Sequence, residues 1–205
     1  MSNETIGILL AGGRATRMGG GDKSLRTIGG KTILDHVIAT MRPQCAALVL
    51  NANGDVARLA AYGLPIVADD VPNFAGPLAG ILAGLDFIAA YYPKAAFAVS
   101  VATDTPFLPH DLVAHLHVAR QAADATLACA RSGRSTHPVI GLWPIGIRAD
   151  LRHALVGEDI RKIDRFTQRH SIAYADWQME PYDPFFNANV PDDLEAAERI
   201  WLQRE

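Results

Sequence analysis

The chain of 205 residues has little cysteine, and both of its thiols lie in apolar surroundings. Cys45 and Cys129 each fall within or beside an apolar run, so we expect two buried, reduced thiols without a chemical role. None of the seven histidines pairs with cysteine or with another histidine at a spacing typical of metal sites. The sequence therefore predicts neither a disulfide framework nor a histidine-based metal centre.

The chain also lacks a strong excess of charge and a long apolar run. Its formal net charge of -3 excludes the broad basic surface that binds nucleic acid or an anionic membrane. No stretch reaches the ~18 apolar residues of a membrane span, and no basic segment followed by an apolar run opens the chain. We therefore expect a cytoplasmic protein that has neither nucleic acid nor a membrane as a partner.

Apolar runs of strand length alternate along the chain with segments of helical periodicity. This pattern and the length predict one α/β domain: a Rossmann-like, three-layer α/β/α fold with a mostly parallel central sheet. Residues 97–102 would present apolar side chains on both faces of a strand and therefore predict a central strand. Residues 32–41 predict a helix with Thr32 as N-cap and Asp35 in a capping box, and residues 185–188 predict a short strand.

The most informative segment is the loop after the first predicted strand, residues 10–23, which reads LAGGRATRMGGGDK. Its five glycines permit positive φ angles and close approach of a ligand, so successive N–H groups can converge on phosphate oxygens. Arg14, Arg17 and Lys23 supply the positive charge that those oxygens need. The loop is therefore predicted to bind phosphate.

Two familiar phosphate-binding loops do not fit this spacing. A Walker A loop needs glycine directly before Lys-Ser, but Asp22 precedes Lys23. The similar string at residues 30–32 has Leu25 where the earlier glycine belongs. The dinucleotide fingerprint fails because Ser24 occupies its third glycine position. Kinase, GTPase and dehydrogenase functions are therefore excluded.

The loop and several later strings together carry a resemblance to a known family. The later strings are Asn51-Ala52-Asn53, Asp69-Asp70, Gly76-Pro77-Leu78-Ala79-Gly80, Thr103-Asp104-Thr105-Pro106, His137-Pro138 and Phe186-Asn187-Ala188-Asn189. In this order they resemble the bacterial molybdenum cofactor guanylyltransferases, within the superfamily of nucleotide-diphospho-sugar transferase-like enzymes. The Gly-Gly-x-Asp-Lys ending of the first loop favours this family over the related cytidylyltransferases.

The resemblance implies a reaction and a set of residues for it. GMP would pass from GTP to molybdenum-molybdopterin, giving molybdopterin guanine dinucleotide and pyrophosphate with Mg²⁺ as cofactor. The expected catalytic residues are Arg17, Lys23 and Asp104, and Asp104 is also the expected metal ligand. The expected nucleotide-binding residues are Leu10, Ala11, Gly12, Gly13, Lys23, Asn51, Asp69 and Asp104. Asp70 is the neighbour that a one-residue shift would select instead of Asp69.

Asp104 is also selected by its position in the sequence. It follows the most apolar predicted strand at its carboxyl end, where open α/β sheets bind their ligands. Mg²⁺ prefers one or two carboxylates, with water and phosphate oxygens as its other ligands. By sequence alone, Asp104 could instead merely begin the turn before Pro106.

The resemblance also implies residues for the second substrate. Arg161 and Lys162 resemble a basic pair that the family places near the pterin, and Asn187 and Asn189 match its Asn-x-Asn motif, so these four are the expected molybdopterin-binding residues. The basic pair could equally be a solvated helix face, and Asn189 a helix cap. His137 could be a contact on the pterin side or an ordinary residue at the entry of a strand.

The same family suggests how the chain is organised. Residues from about 1 to 110 would form the nucleotide-binding part and residues from about 111 to 205 the molybdopterin-binding side. GTP and molybdopterin are the expected substrates, and proteins that insert molybdenum and chaperones of molybdoenzymes are expected as further partners. The expected state is a monomer or a weak oligomer.

Three other functions stay open. A cytidylyltransferase acting on the same pterin and a sugar-phosphate nucleotidyltransferase share the scaffold, although sugar enzymes commonly carry extra segments that 205 residues cannot hold. A protein that only binds a nucleotide or carries a cofactor could keep the glycine loop. Such a protein would not need Asp104 together with Lys23.

Overall fold

The structure, a computed structural model, describes residues 4–11, 23–71 and 76–204. Its strands are β1 Glu4–Leu10, β2 Thr27–Ile28, β3 Lys31–Thr32, β4 Ala47–Asn51, β5 Ile66–Val67, β6 Ala95–Ala102, β7 Leu127–Ser132, β8 Ser135–Pro144 and β9 Ile172–Trp177. Its α-helices are α1 Ile33–Met41, α2 Pro77–Tyr91, α3 Leu112–Ala122, α4 Arg148–Arg152, α5 Ile163–Thr167 and α6 Pro191–Leu202. Shorter 3₁₀ segments are Lys23–Leu25, Arg42–Gln44, Ala57–Tyr62 and Ile145–Ile147, and a π-helical segment is His153–Gly157. Within the described ranges, no helix has the length and apolar character needed to cross a membrane.

The central sheet has the strand order β5-β4-β1-β6-β8-β7-β9. Neighbouring strands are parallel except at β8, which runs antiparallel to both β6 and β7. Ala98, Val99 and Val101 of β6 are fully buried because the sheet is covered on both faces. The predictions of a mostly parallel sheet and of a central strand at residues 97–102 are confirmed.

Helices form a layer on each face of the sheet. On one face, Leu9 of β1 belongs to the same apolar cluster as Leu34 of α1 and Leu116 of α3. On the other face, residues that alternate with Leu9, such as Ile8, share a cluster with Leu82 of α2. This alternation follows from the two-residue period of a strand. The predicted three-layer α/β/α arrangement is therefore confirmed.

Helix α1 begins where the sequence predicts. The Thr32 hydroxyl accepts a hydrogen bond from the Asp35 backbone N–H at 3.0 Å, and the Asp35 carboxylate accepts one from the Thr32 backbone N–H at 3.0 Å. This reciprocal pair is a capping box. Gly29 and Gly30 have φ values of 55° and 75° and form the two-residue turn between β2 and β3. The string at residues 30–32 is therefore a hairpin and helix cap, and not a phosphate loop.

Strand β8 leaves the sheet for three residues. Cys129 of β7 is paired with Gly141, whereas the next residue, Ala130, is paired with His137, so residues 138–140 bulge out of the ladder. A hydrogen bond connects the bulge to β6: the Val139 carbonyl accepts it from the Ser100 hydroxyl at 2.6 Å. β6 pairs with β8 only along residues 97–100, so the sheet opens beside the carboxyl end of β6.

Several details differ from the sequence prediction. Residues 185–188 form no strand; this segment is a turn and an extended connection, and the Ala188 N–H donates to the Asp104 carbonyl at 3.0 Å. The segment resembles a strand in sequence because two of its apolar side chains, Phe185 and Ala188, are buried in the core. Farther towards the N-terminus, residues 145–155 divide into 3₁₀, α and π segments.

Only one of the two cysteines is buried as predicted. Cys129 is buried and Cys45 is half-buried, and both are free of disulfides. Burial raises the pKa of each thiol to about 12, so neither is a thiolate at neutral pH.

We predict that the hairpin turn depends on Gly29 much more than on Gly30. Both residues have positive φ, but a Cβ at Gly29 would overlap the indole Nε1 of Trp201, whereas a Cβ at Gly30 would have no described atom within 4 Å. Gly30→Ala should lower the free energy of unfolding by about 1 kcal/mol through backbone strain alone. Gly29→Ala should lower it by about 2–4 kcal/mol because strain and overpacking combine. Urea denaturation of both variants measures the difference, and equal losses would contradict the docking of α6 on the hairpin.

Candidate active site

A cleft of about 980 Å³ opens at the carboxyl ends of the parallel strands β1, β4, β5 and β6. Open α/β sheets bind their ligands at this edge. The residues that were predicted from the sequence and that line the cleft are Leu10, Ala11, Lys23, Asn51, Asp69, Asp104 and Asn187. Separate segments of the chain are thus brought together, as the resemblance implied.

The floor of the cleft is built from the ends of β1 and β4. The Ala11 N–H donates to the Asn51 carbonyl at 2.8 Å, which extends the β1–β4 ladder by one residue. The Leu10 carbonyl accepts the Thr103 hydroxyl at 3.1 Å and so ties the end of β1 to the segment after β6. The glycine-rich loop leaves from this point. Among its predicted residues, Gly12, Gly13, Arg14, Arg17, Gly19, Gly20, Gly21 and Asp22 lie outside the described residues.

Lys23 and Asp104 are two neighbouring charged residues of the cleft, which Arg58 and Asp69 also line. Burial raises the pKa of the Asp104 carboxyl, and the nearby positive charge of Lys23 opposes that rise. The Lys23 ammonium donates a hydrogen bond to the Asn189 side-chain oxygen at 2.8 Å. The charged form of this half-buried carboxylate is stabilised when further positive charge, such as a metal ion, binds beside it.

Asp69 lies in the cleft and is held by two amides. Its Oδ1 accepts the Asn51 amide at 2.8 Å and its Oδ2 accepts the Asn53 amide at 2.8 Å. Asn51 is buried and also donates to the Val67 carbonyl at 3.1 Å. A Cβ at Gly80 would overlap the Asn51 amide oxygen, so the first turn of α2 packs directly on this side chain.

Asp70 faces away from this network. It is exposed and pairs with Arg152 at 2.7 Å, and the same guanidinium contacts Asp86 at 2.7 Å. The structure thus separates the two neighbouring aspartates, and Asp69 is the one that lines the cleft. Its role as a nucleotide contact stays a prediction.

The segment Asn187 to Asn189 lies beside Thr105 and Lys23. The Asn187 side-chain oxygen accepts a hydrogen bond from the Thr105 hydroxyl at 2.7 Å, and the Asn189 side-chain oxygen accepts one from the Lys23 ammonium. Helix α6 is capped by another residue, because the Asp193 carboxylate accepts the Asn189 and Val190 N–H groups at 2.7 and 2.9 Å. The Asn189 side chain therefore does not serve as the helix cap.

Arg161 and Lys162 lie before α5 and are not among the described residues that line the cleft. Arg161 donates to the Asp159 carboxylate at 2.6 Å, and its carbonyl would lie 3.7 Å from a Cβ at Gly76. Because Gly76 lines the cleft, the backbone of the basic pair runs beside its rim. The structure does not bring these two side chains to Lys23 or Asp104.

Several lining residues have no role in the sequence prediction. They are Ser24, Asn53, Gly54, Arg58, Gly76, Pro77, Ala102, Thr103, Thr105, Thr136, Pro138, Val139 and Ile140. Residues 136–140 reach the cleft because β8 bulges, and no sequence signal marks that bulge. The sequence marked Asn53 only as part of the string at residues 51–53 and gave it no role of its own.

His137, which the sequence left undecided, also lines the cleft. Its ring Nε2 shares a hydrogen bond with the Ser132 hydroxyl at 2.8 Å. Burial lowers the pKa of the ring, and Asp183 partly opposes that effect. The histidine is therefore a neutral polar group in the wall that the bulge forms.

The oxygen ligands of the cleft suit a metal that takes few protein ligands. The described residues contain no group of three or more His, Cys, Asp or Glu side chains that could hold a metal ion. Mg²⁺ in nucleotide sites needs only one or two carboxylates, because phosphate oxygens and water complete its shell. The half-buried carboxylate of Asp104 fits that requirement.

Known proteins share both the sequence and the fold. A family model described as the MobA-like NTP transferase domain matches residues 7–174. The chain is 63% identical over 194 residues to a molybdenum cofactor guanylyltransferase of Bradyrhizobium sp. (strain ORS 278), covering 95% of this chain and 92% of that protein. It is 41% identical over 195 residues to a molybdenum cofactor guanylyltransferase of Cereibacter sphaeroides, covering 95% and 96%.

A solved structure has the same fold. Molybdopterin-guanine dinucleotide biosynthesis protein A from Archaeoglobus fulgidus superposes with a TM-score of 0.74 at 23% identity, over 97% of this chain and 99% of that one. This likeness supports the fold assignment, whereas the relatives above match nearly the whole chain at much higher identity. The chain belongs to the MobA-like NTP transferase family and, within it, to the molybdenum cofactor guanylyltransferases.

Proposed function

We propose that this protein transfers GMP from GTP to molybdenum-molybdopterin, forming molybdopterin guanine dinucleotide and pyrophosphate. The observation that carries the proposal is the joint position of Lys23 and Asp104 in one cleft at the carboxyl edge of the sheet. A cation and a carboxylate at this edge are the groups that a nucleotidyltransferase needs around a triphosphate. The relatives named above carry the same activity in their names.

On the nucleotide side, the backbone of Leu10 and Ala11 would line the pocket and Lys23 would bind the phosphates. Gly12, Gly13 and Arg17 belong to this proposal by resemblance and lie outside the described residues. Neutralising the charge that develops on the leaving pyrophosphate lowers the barrier to cleavage of the α–β bond. No covalent intermediate and no general base are required, because the acceptor phosphate is already ionised at neutral pH.

Mg²⁺ is the proposed cofactor and Asp104 its proposed protein ligand. When bound, it would supply positive charge to the phosphate oxygens in the transition state. Burial of the Asp104 carboxyl, which raises its pKa, disfavours the charged form until a cation compensates it. Asp104 would then hold the metal, while Lys23 binds phosphate from the other side.

The molybdopterin would bind on the side formed by residues from about 111 to 205, opposite the nucleotide-binding residues from about 1 to 110. Asn187, Asn189, Arg161 and Lys162 are its proposed contacts. Two facts support this side: Asn187 lines the cleft, and the Arg161 backbone lies beside its rim at Gly76. We further propose a cytoplasmic monomer or weak oligomer that works with molybdenum-insertion proteins and molybdoenzyme chaperones.

We predict that the purified protein releases pyrophosphate when molybdopterin, Mg²⁺ and GTP are all present. CTP and ATP should give much slower release. Removal of Mg²⁺ with EDTA should stop the reaction, and added Mg²⁺ should restore it, because Asp104 is itself anionic and the positive charge that neutralises the leaving pyrophosphate must come from the metal that it holds. The measurement is a coupled pyrophosphate assay with each nucleotide in turn.

Faster release with CTP would favour the cytidylyltransferase alternative. Binding of GTP without pyrophosphate release would favour a nucleotide-binding or carrier protein. Release with GTP and a sugar phosphate in place of molybdopterin would favour the sugar-phosphate alternative.

We predict that Asp104→Asn lowers kcat at least ~100-fold, because a metal-binding carboxylate contributes several kcal/mol to the transition state. The fold should persist, since burial already disfavours the charged form of Asp104 and a neutral amide has the same shape. Circular dichroism and thermal melting check the fold, and the pyrophosphate assay checks turnover.

Asp70→Asn is the matched control for this change. Asp70 is an exposed carboxylate whose partner Arg152 keeps a second contact to Asp86, so activity should stay within about twofold of the unmodified protein. Full activity of Asp104→Asn would remove this residue from the site. A large loss in Asp70→Asn would mean that the wrong aspartate of the pair at residues 69–70 had been chosen.

A further inference from the structure

Asn53 and Asp69 are joined by two hydrogen bonds in opposite directions. The Asn53 amide donates to Asp69 Oδ2 at 2.8 Å, and the Asp69 backbone N–H donates to the Asn53 side-chain oxygen at 2.9 Å. This ring fixes both the backbone and the carboxylate of Asp69. Asn53 lies two residues beyond β4 and is half-buried at the wall of the cleft.

The carboxylate of Asp69 is held at both oxygens. Asn51 binds one oxygen and Asn53 binds the other, each through one amide N–H at 2.8 Å. Two donors on two oxygens set the plane of the carboxylate and prevent it from rotating. Each oxygen has capacity for a further hydrogen bond, because an ionised carboxylate offers about four acceptor positions.

A carboxylate fixed in this way matches one particular pattern on a nucleotide base. Guanine presents two adjacent donors, N1–H and the exocyclic 2-amino group, and a carboxylate can accept both at once. Cytosine and adenine present a donor beside an acceptor at the corresponding edge, and a ring nitrogen acceptor would face a carboxylate oxygen. The site would therefore distinguish guanine from the other bases only if the carboxylate is held in the right plane.

We propose that Asn53 is a positioning residue that orients the Asp69 carboxylate to accept the N1–H and 2-amino groups of guanine. This inference rests on the proposed use of GTP and assigns base selection to an amide that need not touch the nucleotide. Asn51 has a further role, because it also ties β4 to the Val67 carbonyl and packs on Gly80. Asn53 has no comparable place in the core, so its substitution tests orientation with less damage to the fold.

The test compares GTP with ITP, which differs from GTP only by lacking the 2-amino group. Binding of each to the full chain in Mg²⁺ is measured by calorimetry, without an acceptor. The unmodified protein should bind GTP about tenfold more tightly than ITP, since a hydrogen bond to a charged group is lost with ITP. Asn53→Ala should weaken the binding of GTP about tenfold and the binding of ITP much less, so that the preference for GTP nearly disappears.

Asn53→Asp is the second variant. It keeps the shape of the side chain and an oxygen that can accept the Asp69 N–H, but it replaces the donor to Asp69 Oδ2 by an acceptor. The preference for GTP should be lost at least as completely as in Asn53→Ala. Asp55→Ala is the control for loosening the same loop, because Asp55 caps the next turn through the Ala57 N–H and does not line the cleft. Its GTP and ITP affinities should be unchanged.

Turnover gives a second readout that a purely structural role would not produce. In steady-state assays with GTP and molybdopterin, Asn53→Ala should raise KM for GTP about tenfold with little change in kcat, because the groups around the phosphates are untouched. A drop in melting temperature without a change in the ratio of GTP to ITP affinity would overturn the proposal. An equal loss of affinity for GTP and for ITP would also overturn it, since Asn53 would then support the loop or a ribose contact.

Failure of this inference is distinguishable from failure of the proposed function. If the unmodified protein does not prefer GTP over ITP, the assigned contact to the 2-amino group is wrong, although guanylyl transfer can still occur. If the preference and its loss in both Asn53 variants are found but no pyrophosphate is released, the base contact stands and the proposed reaction fails.

Discussion

The structure depends on one constraint: four neighbouring strands, β5, β4, β1 and β6, are parallel, so their carboxyl ends meet at one edge of the sheet. At or just beyond the ends of β4, β5 and β6 the chain carries polar residues, so residues far apart in sequence become neighbours there. Asn51, Asp69 and Asp104 follow three of these strands and all line the cleft. The antiparallel strand β8 closes the other side, and its bulge keeps it from sealing the edge beside β6.

The cleft is held together mainly by amide and hydroxyl groups, and its charged groups are few. Asn51 and Asn53 orient Asp69, Thr103 ties β6 to β1, and Thr105 binds Asn187. Neutral donors can fix a carboxylate without neutralising it, so its charge stays available to a ligand. A salt bridge in the same place would compensate that charge; the pair of Asp70 and Arg152 on the outside is an example.

Sequence reasoning succeeded where short-range rules decide the structure. The capping box at Thr32, the central strand at residues 97–102 and the exclusion of a Walker loop all follow from local patterns, and the family follows from ordered strings along the chain. It failed at residues 185–188, where buried apolar side chains imitate a strand although the segment belongs to no sheet. A pattern of apolar residues indicates which side chains are buried, and the side chains of a connection that packs on the core are buried as well.

The parts of the site that sequence could not provide are those set by pairing between distant segments. The bulge of β8 brings residues 136–140 into the cleft, yet its cause is a register shift against β7 that no local pattern records. Likewise, the hydrogen bonds of Asn187 to Thr105 and of Asn189 to Lys23 join segments far apart in the chain, and no local pattern records them. The role of both asparagines as contacts of the second substrate stays a prediction.

These bonds link residues that we assign to two different substrates. If Lys23 binds phosphate as proposed, phosphate oxygens would compete with Asn189 for its ammonium, and the amide oxygen of Asn189 would lose this donor. Occupation of the nucleotide side would thereby change the surface offered to the acceptor. A single hydrogen bond of this kind can couple two sites without a large movement of the backbone, because only the partner of one ammonium group changes.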